Sequence, residues 1–170
     1  KLLPGGITGN FTRQARNCFD QNDDIHLVST IGNDNEASVA LNAVTHPGIT
    51  HHINQISGQT PVQFIEIQKT GEKNFTKYDP GVLKKFSLNN SQKEIISAAD
   101  LVVTPVYWQI YNVFEHVMAV KTNGTIAVDF SDFSTDPNFE LIENNAEKLG
   151  IGFFGLSKNQ TELINKISDL

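Results

Sequence analysis

The sequence predicts an α/β protein built on a mostly parallel, doubly wound sheet, with one β-hairpin standing outside that sheet. Two observations carry this. Four short runs, IHLVST (25–30), DLVVTPV (100–106), TIAVDF (125–130) and IGFFGL (151–156), are apolar throughout and alternate with amphipathic segments. That pattern marks parallel strands covered on both faces by helices. One region, TPVQFIEIQKTGEKNFTKY (60–78), breaks the rhythm with two strand-like runs joined by a turn and no helix between them. A chain of 170 residues with 39% hydrophobic content can bury one sizeable core.

Taken in order, LPGGITGN (3–10) sets Gly5 and Gly6 directly before a helix whose apolar face is Phe11, Ala15, Cys18 and Phe19. A glycine pair before a helix has two readings. It marks an ordinary loop, or it lets the backbone come within hydrogen-bonding distance of a ligand, where free helix-start N–H groups favour oxygen-rich or anionic groups. Asn10 would add one amide donor and acceptor there. Cys18, the only cysteine, reads at this spacing as a small core hydrophobe, and no disulfide can form within the chain. The first apolar run ends in the turn residues GNDN (32–35), and the next helix carries Ala37, Ala40, Leu41 and Val44 before PGI (47–49). His51 and His52 follow; neighbours on a strand face opposite ways, so they are expected to be surface histidines that share no metal.

In the hairpin, Val62, Phe64, Ile65 and Ile67 form one strand, TGEK the turn and NFTKY the other strand. A hairpin in a doubly wound protein must leave the parallel sheet, as a lid, an edge extension or a dimer contact.

A net charge of −6 and a pI near 5.3, with no run of Lys and Arg, argue against nucleic-acid partners. No apolar run approaches the ~20 residues that span a bilayer, and KLLPGG lacks the apolar segment of a signal peptide. A cytoplasmic protein with no membrane partner is expected. The five Asn-x-Ser/Thr triplets, at Asn10, Asn74, Asn89, Asn123 and Asn159, then reflect composition and not glycosylation.

Ligands of open α/β sheets sit beyond the carboxyl ends of the strands. The polar residues predicted there are Asn33 and Asp34, Tyr107 and Trp108, Asp129 and Asp132, and SKNQTE (157–162). Aromatic rings with carboxylates suit a polyol, whose C–H faces stack and whose hydroxyls donate.

GGxxxN at 5–10, STIGND at 29–34, PGI at 47–49, the hairpin, and Asn159-x-x-Glu162 after an apolar strand together resemble the ribokinase-like (PfkB) carbohydrate kinases. Within that family, KNFTKYDPGVLKKFSL (73–88) and IAVDFSDF (126–133) are similar to the fructoselysine 6-kinase branch. The resemblance covers nearly the whole chain. It implies a partial ribokinase-like core over 1–170, with a lid inserted at approximately 50–80. It implies that Gly5 and Gly6 floor a sugar site, that Asn10 hydrogen-bonds a sugar hydroxyl, and that Asp34, Tyr78, Trp108 and Asp129 also face the sugar or fructosamine substrate. Asn159 and Glu162 would position the phosphates of ATP and Mg2+, Glu162 through water. The lid would pair two copies into a homodimer.

The departures are specific. Thr8 stands where the family has a smaller residue, and Glu36 with Ala37 replaces a glycine. The strand that carries the family's sugar-binding Asp does not precede KLLPGG, and no DTxGAGD-like segment, source of the anion hole and the catalytic base, occurs. The resemblance therefore implies the amino-terminal and central part of a carbohydrate kinase, incomplete at both ends, with no catalytic residue of its own and no turnover as given. The alternative is a non-catalytic sugar-binding or dimerising module derived from such a kinase. A nicotinamide dehydrogenase fits less well, because GGITGN is not GxGxxG and no strand precedes it.

Overall fold

The computed structural model describes residues 2–170, which fall into two units, 2–87 and 88–170.

In the first unit, helix α1 (Ile7–Cys18) opens where predicted. Gly6 takes φ 100° as its N-cap, a conformation costly for any residue with a Cβ, and its carbonyl accepts the first helical bond from the Asn10 N–H at 3.0 Å. The Arg16 guanidinium ties down the far end, donating to the carbonyls of Phe19, Asp20 and Asp23 and, at 3.4 Å, to that of Gly48. The predicted helix is present, but of its predicted apolar face only Ala15 is buried. Thr12 and Ala15 are buried, whereas Cys18 is exposed and Phe11 and Phe19 keep 42% and 45% of their surface. The reason is close approach. A Cβ on Gly9 would lie 3.1 Å from Val44 Cγ1, so the stripe facing helix α2 (Asn35–Val44) admits only small side chains. The reading of Cys18 as a core residue is therefore corrected.

Strands β1 (His26–Ile31) and β2 (Thr50–Gln55) pair in parallel, with Val28 opposite His52. Leu27, Val44 and Ile49 form their core cluster, flanked by Ile25 and Ile53. His51 and His52 do point apart. The His51 ring meets the Val44 carbonyl at 3.0 Å, while His52 Nε2 lies 2.9 Å from His26 Nδ1. Burial, and then repulsion from the neighbouring imidazoles, holds the His52 pKa below its ordinary value.

The hairpin is β3 (Val62–Ile67) and β4 (Lys73–Asp79), an antiparallel pair forming a sheet of its own. Residues 50–55 belong to the parallel pair, so the hairpin is shorter than the stretch of approximately 50–80 assigned to it. A β-bulge between Phe64 and Ile65 resets the alternation, which accounts for two consecutive apolar residues there. Phe64, Ile65, Ile67 and Phe75 remain 45–73% exposed.

In the second unit, helix α3 (Asn90–Ala98) starts on a capping box. The Asn89 side chain accepts from the Gln92 N–H, and the Gln92 side chain accepts from that of Asn89. Strands β5 (Leu101–Pro105), β6 (Thr125–Asp132) and β7 (Leu149–Gly155) then form a parallel sheet in that order. β6 is central, with Ile126, Ala127, Val128 and Phe130 buried along it, and Phe114 of helix α4 (Tyr111–Met118) is 1% exposed. β7 was expected to be covered on both faces and is not. As the edge of this sheet it leaves Ile151 and Phe153 44% and 54% exposed, while Phe154 stacks on Phe130 with ring centroids 4.6 Å apart. Helices α5 (Phe139–Glu143) and α6 (Thr161–Ser168) follow β6 and β7. Among the described residues no helix is long and apolar enough to cross a membrane.

Candidate functional site

The carboxyl ends of β1 and β2 are bound together by one carboxylate. Asp34 caps α2, its Oδ1 accepting from the Ala37 N–H at 3.1 Å and from Thr60 Oγ1 at 2.5 Å, while Oδ2 accepts from the Thr60 N–H at 2.8 Å. Thr60 Oγ1 in turn accepts from the Gly32 N–H at 3.1 Å. The Thr60 hydroxyl, followed by backbone N–H donors, holds the Asp34 carboxyl below the usual carboxylate range. Gly32 is obligatory here, since a Cβ would lie 2.3 Å from the Gly58 carbonyl oxygen. Three of the roughly four acceptor positions of Asp34 are thus occupied within the protein.

The other first-unit residues assigned to the sugar lie apart from this knot in the chain. Gly5 and Gly6 precede α1, and a Cβ on either would meet nothing within 4 Å. That is open space of the kind a ligand can fill. The Asn10 carboxamide oxygen accepts from Arg13 at 2.7 Å. Tyr78 lies on β4, opposite Gln63, half-buried.

In the second unit a cavity of about 180 Å3 opens at the carboxyl ends of β5 and β6. Trp108, 61% exposed, lines it together with Tyr107, Tyr111, Ser131, Asp132 and Asp136. Asp129 is not in the lining. Its Oδ1 accepts from the Ser131 N–H at 2.8 Å and so braces the irregularity within β6, whose register against β7 shifts between Asp129 and Asp132. Ser131 sits at φ 52°, the only non-glycine residue with positive φ among the described residues, and its buried Oγ has no hydrogen-bond partner there. A left-handed serine with an orphaned hydroxyl costs free energy, and such strain concentrates at ligand sites.

The carboxylates are preset. Asp132 accepts from Ser134 Oγ at 2.6 Å and Thr135 Oγ1 at 2.9 Å, and these hydroxyls hold its pKa down. The Tyr111 hydroxyl donates to Asp136 Oδ2 at 2.5 Å and accepts from Asn138 Nδ2 at 3.3 Å. Burial first, and then its bond to Asp136, pushes the Tyr111 phenol up. Sequence reasoning reached Tyr107, Trp108 and Asp132 but missed Tyr111, Ser131, Asp136 and Asn138. The turn-rich DFSTDPN (132–138), directly after a strand, was the available signal.

Asn159 and Glu162 flank the start of α6. Asn159 Oδ1 accepts from Ser157 Oγ at 2.6 Å, and Glu162 is exposed in the first turn. No group of three or more His, Cys, Asp or Glu side chains that could hold a metal occurs among the described residues. Glu162 offers one carboxylate, which fits an ion that keeps its waters and takes most ligands from phosphates, and not a protein-enclosed metal.

No family model matches the sequence, and no curated protein matches it. Solved structures do match in fold. A ribokinase from Thermotoga maritima aligns with TM-score 0.54 and 22% identity over 76% of this chain and 41% of its own. A protein described as ribokinase II from E. coli, in its apo form, gives TM-score 0.69 and 12% identity over 98% of this chain and 59% of its own. Anopheles gambiae adenosine kinase, in complex with P1,P4-di(adenosine-5) tetraphosphate, gives TM-score 0.66 and 13% identity over 88% of this chain and 49% of its own. The chain therefore has the mixed α/β, parallel-sheet fold of these ribokinase-like structures, over 41–59% of their length.

Proposed function

We propose that the chain is the sugar-binding and lid-bearing part of an ATP-dependent carbohydrate kinase, whose whole transfers the terminal phosphoryl group of ATP to a hydroxyl of a sugar or fructosamine. One observation carries the reading. On a ribokinase-like fold, a strained serine, paired carboxylates and an exposed tryptophan meet in a cavity at the carboxyl ends of parallel strands, where such sheets bind ligands. Gly5 and Gly6 leave open backbone for a sugar at the start of α1, and Asn10 supplies an amide. On this reading Asn159 and Glu162, at the start of α6, would meet the phosphates of ATP and, through water, Mg2+, which neutralises phosphate charge when bound. The similarity of 73–88 and 126–133 to fructoselysine 6-kinases favours a fructosamine acceptor. With no DTxGAGD-like segment to supply base and anion hole, this chain by itself should phosphorylate neither fructoselysine nor ribose nor fructose.

Gly5→Val tests the sugar floor. Gly6 is the poorer choice, because valine at φ 100° strains the backbone whatever fills the space. At Gly5 no positive φ and no neighbouring atom opposes a side chain. Calorimetric titration should show sugar binding lost in Gly5→Val with the far-ultraviolet circular dichroism unchanged. Equal binding by both forms would return the glycine pair to the status of a loop.

The hairpin supports the dimer. A two-stranded ribbon carrying Phe64, Ile65, Ile67 and Phe75 at 45% exposure or more needs cover, and a second copy of the hairpin provides it. Phe64→Lys should shift a dimer towards monomer or aggregate in light scattering coupled to size exclusion. An unchanged dimer would place the interface elsewhere.

A further inference from the structure

One face of the parallel pair in the first unit carries two imidazoles in contact. The register of β1 against β2 sets His26 opposite Thr50 and Val28 opposite His52, so His26 and His52 share a face and lie diagonally across the pair. Leu27, His51 and Ile53 belong to the other face. That face meets the core cluster, and its His51 ring contacts the Val44 carbonyl. The face of His26 is more open: His26 is exposed and His52 half-buried.

Across that face His26 Nδ1 lies 2.9 Å from His52 Nε2. With ring centroids 5.1 Å apart and planes inclined by 32°, the rings meet nitrogen to nitrogen and not face to face. Unliganded, one nitrogen donates a proton that the other accepts. Exposed to water, such a bond contributes little to stability. Imidazole is also the commonest metal ligand, and two nitrogens bound to one ion at about 2.0–2.1 Å, in octahedral to tetrahedral geometry, lie roughly 2.8–3.4 Å apart. The observed separation falls within that range. A tilt of the exposed His26 ring aims both lone pairs at one point beside the line that joins them, and paired strands hold the spacing of the two ligands more firmly than loops would.

The donor set selects the kind of ion. Two imidazole nitrogens suit Zn2+, Ni2+ or Cu2+, whereas Mg2+ and Ca2+ take oxygen ligands. Among the described residues no third His, Cys, Asp or Glu joins the pair to complete a cage. An ion held there therefore keeps coordination positions for water or for a ligand from outside.

We propose that His26 and His52 form an open two-histidine site for a divalent late first-row transition-metal ion such as Zn2+, with His26 Nδ1 and His52 Nε2 as its ligands. The site goes beyond the carbohydrate-kinase reading and stands independently of it, and it is distinct from the Mg2+ that accompanies ATP.

The full chain, carrying no affinity tag and labelled with 15N at its five histidines, is titrated near neutral pH with ZnCl2 and in parallel with MgCl2, while long-range 1H–15N spectra follow each ring nitrogen. Zn2+ should shift His26 Nδ1 and His52 Nε2 together, and Mg2+ should shift neither. In calorimetry, His26→Asn and His52→Asn should each weaken Zn2+ binding at least about tenfold, whereas His46→Asn and Cys18→Ser should leave it unchanged. Zn2+ shifts confined to His46, His51 or His116 would overturn the site. So would Zn2+ binding that survives in both variants, an equal response to Mg2+, or no shift of the pair at millimolar Zn2+. Circular dichroism reports whether each variant folds, and the spectra of the parent chain identify the ligands even where one does not.

Discussion

Phe114→Ala should lower stability by about 3–5 kcal/mol, the cost typical of truncating a buried aromatic ring. Phe114 is 1% exposed and among the largest fully buried side chains of the described residues. It projects from α4 in the unit whose sheet centres on β6, where Val128 is fully buried. Removing the ring forfeits its transfer free energy and leaves a cavity that a close-packed parallel sheet cannot collapse to fill. A loss of this size is a large share of the 5–15 kcal/mol that holds a typical domain together. Denaturant unfolding checks it through a lower midpoint. An unfolding free energy within about 1 kcal/mol of the parent's would mean the ring is not packed as described.

Asp34→Ala should cost on the order of 2–3 kcal/mol, about 1 for the lost helix cap and the remainder for charge-assisted bonds from Thr60, which is 6% exposed and would keep an unsatisfied N–H and hydroxyl. Asp34→Asn is not neutral either. One oxygen can still accept from Ala37 and the Thr60 hydroxyl, but the amide NH2 would face the Thr60 N–H, donor against donor. The effect depends on pH. The Asp34 pKa is lower folded than unfolded, so its stabilisation is fully present above the unfolded value and fades as pH falls through the folded one. The gap between parent and Asp34→Ala should therefore narrow in acid. These variants also bear on the role the family resemblance gives Asp34. A carboxylate that acts through the fold loses stability first, whereas one that holds a sugar loses binding in a variant whose stability is retained.

How much of this was legible depended on whether the signal was local. β1, β5 and β6 announce themselves as continuous apolar runs, although only β6 is central in its sheet, and the hairpin does so through its turn. The start of α1 was legible because a glycine at φ 100° is written as a glycine. The parallel pairing of β2 was not, since THHINQ is polar and reads only as strand just before the hairpin; its place beside β1 comes from pairing and not from its own side chains. The exposed Cys18 was misread because spacing identifies a helix face but not whether a neighbour comes close enough to cover it. The cavity was half legible. Trp108 lies just after β5 and Asp132 ends β6, but Tyr111 meets Asp136 and Asn138 across 25 and 27 residues, a closure only the fold makes. The strain at Ser131 has no signature in sequence, because serine there reads as an ordinary turn residue.

The most direct test of the central claim is a binding panel on the whole chain by saturation-transfer nuclear magnetic resonance: ribose, fructose, fructoselysine and 1-amino-1-deoxyfructose, with a nicotinamide dinucleotide as counter-ligand. The account predicts saturable binding of at least one sugar or fructosamine, the aminated forms foremost, and none of the dinucleotide. Binding of the dinucleotide with no sugar bound at millimolar concentration would contradict it.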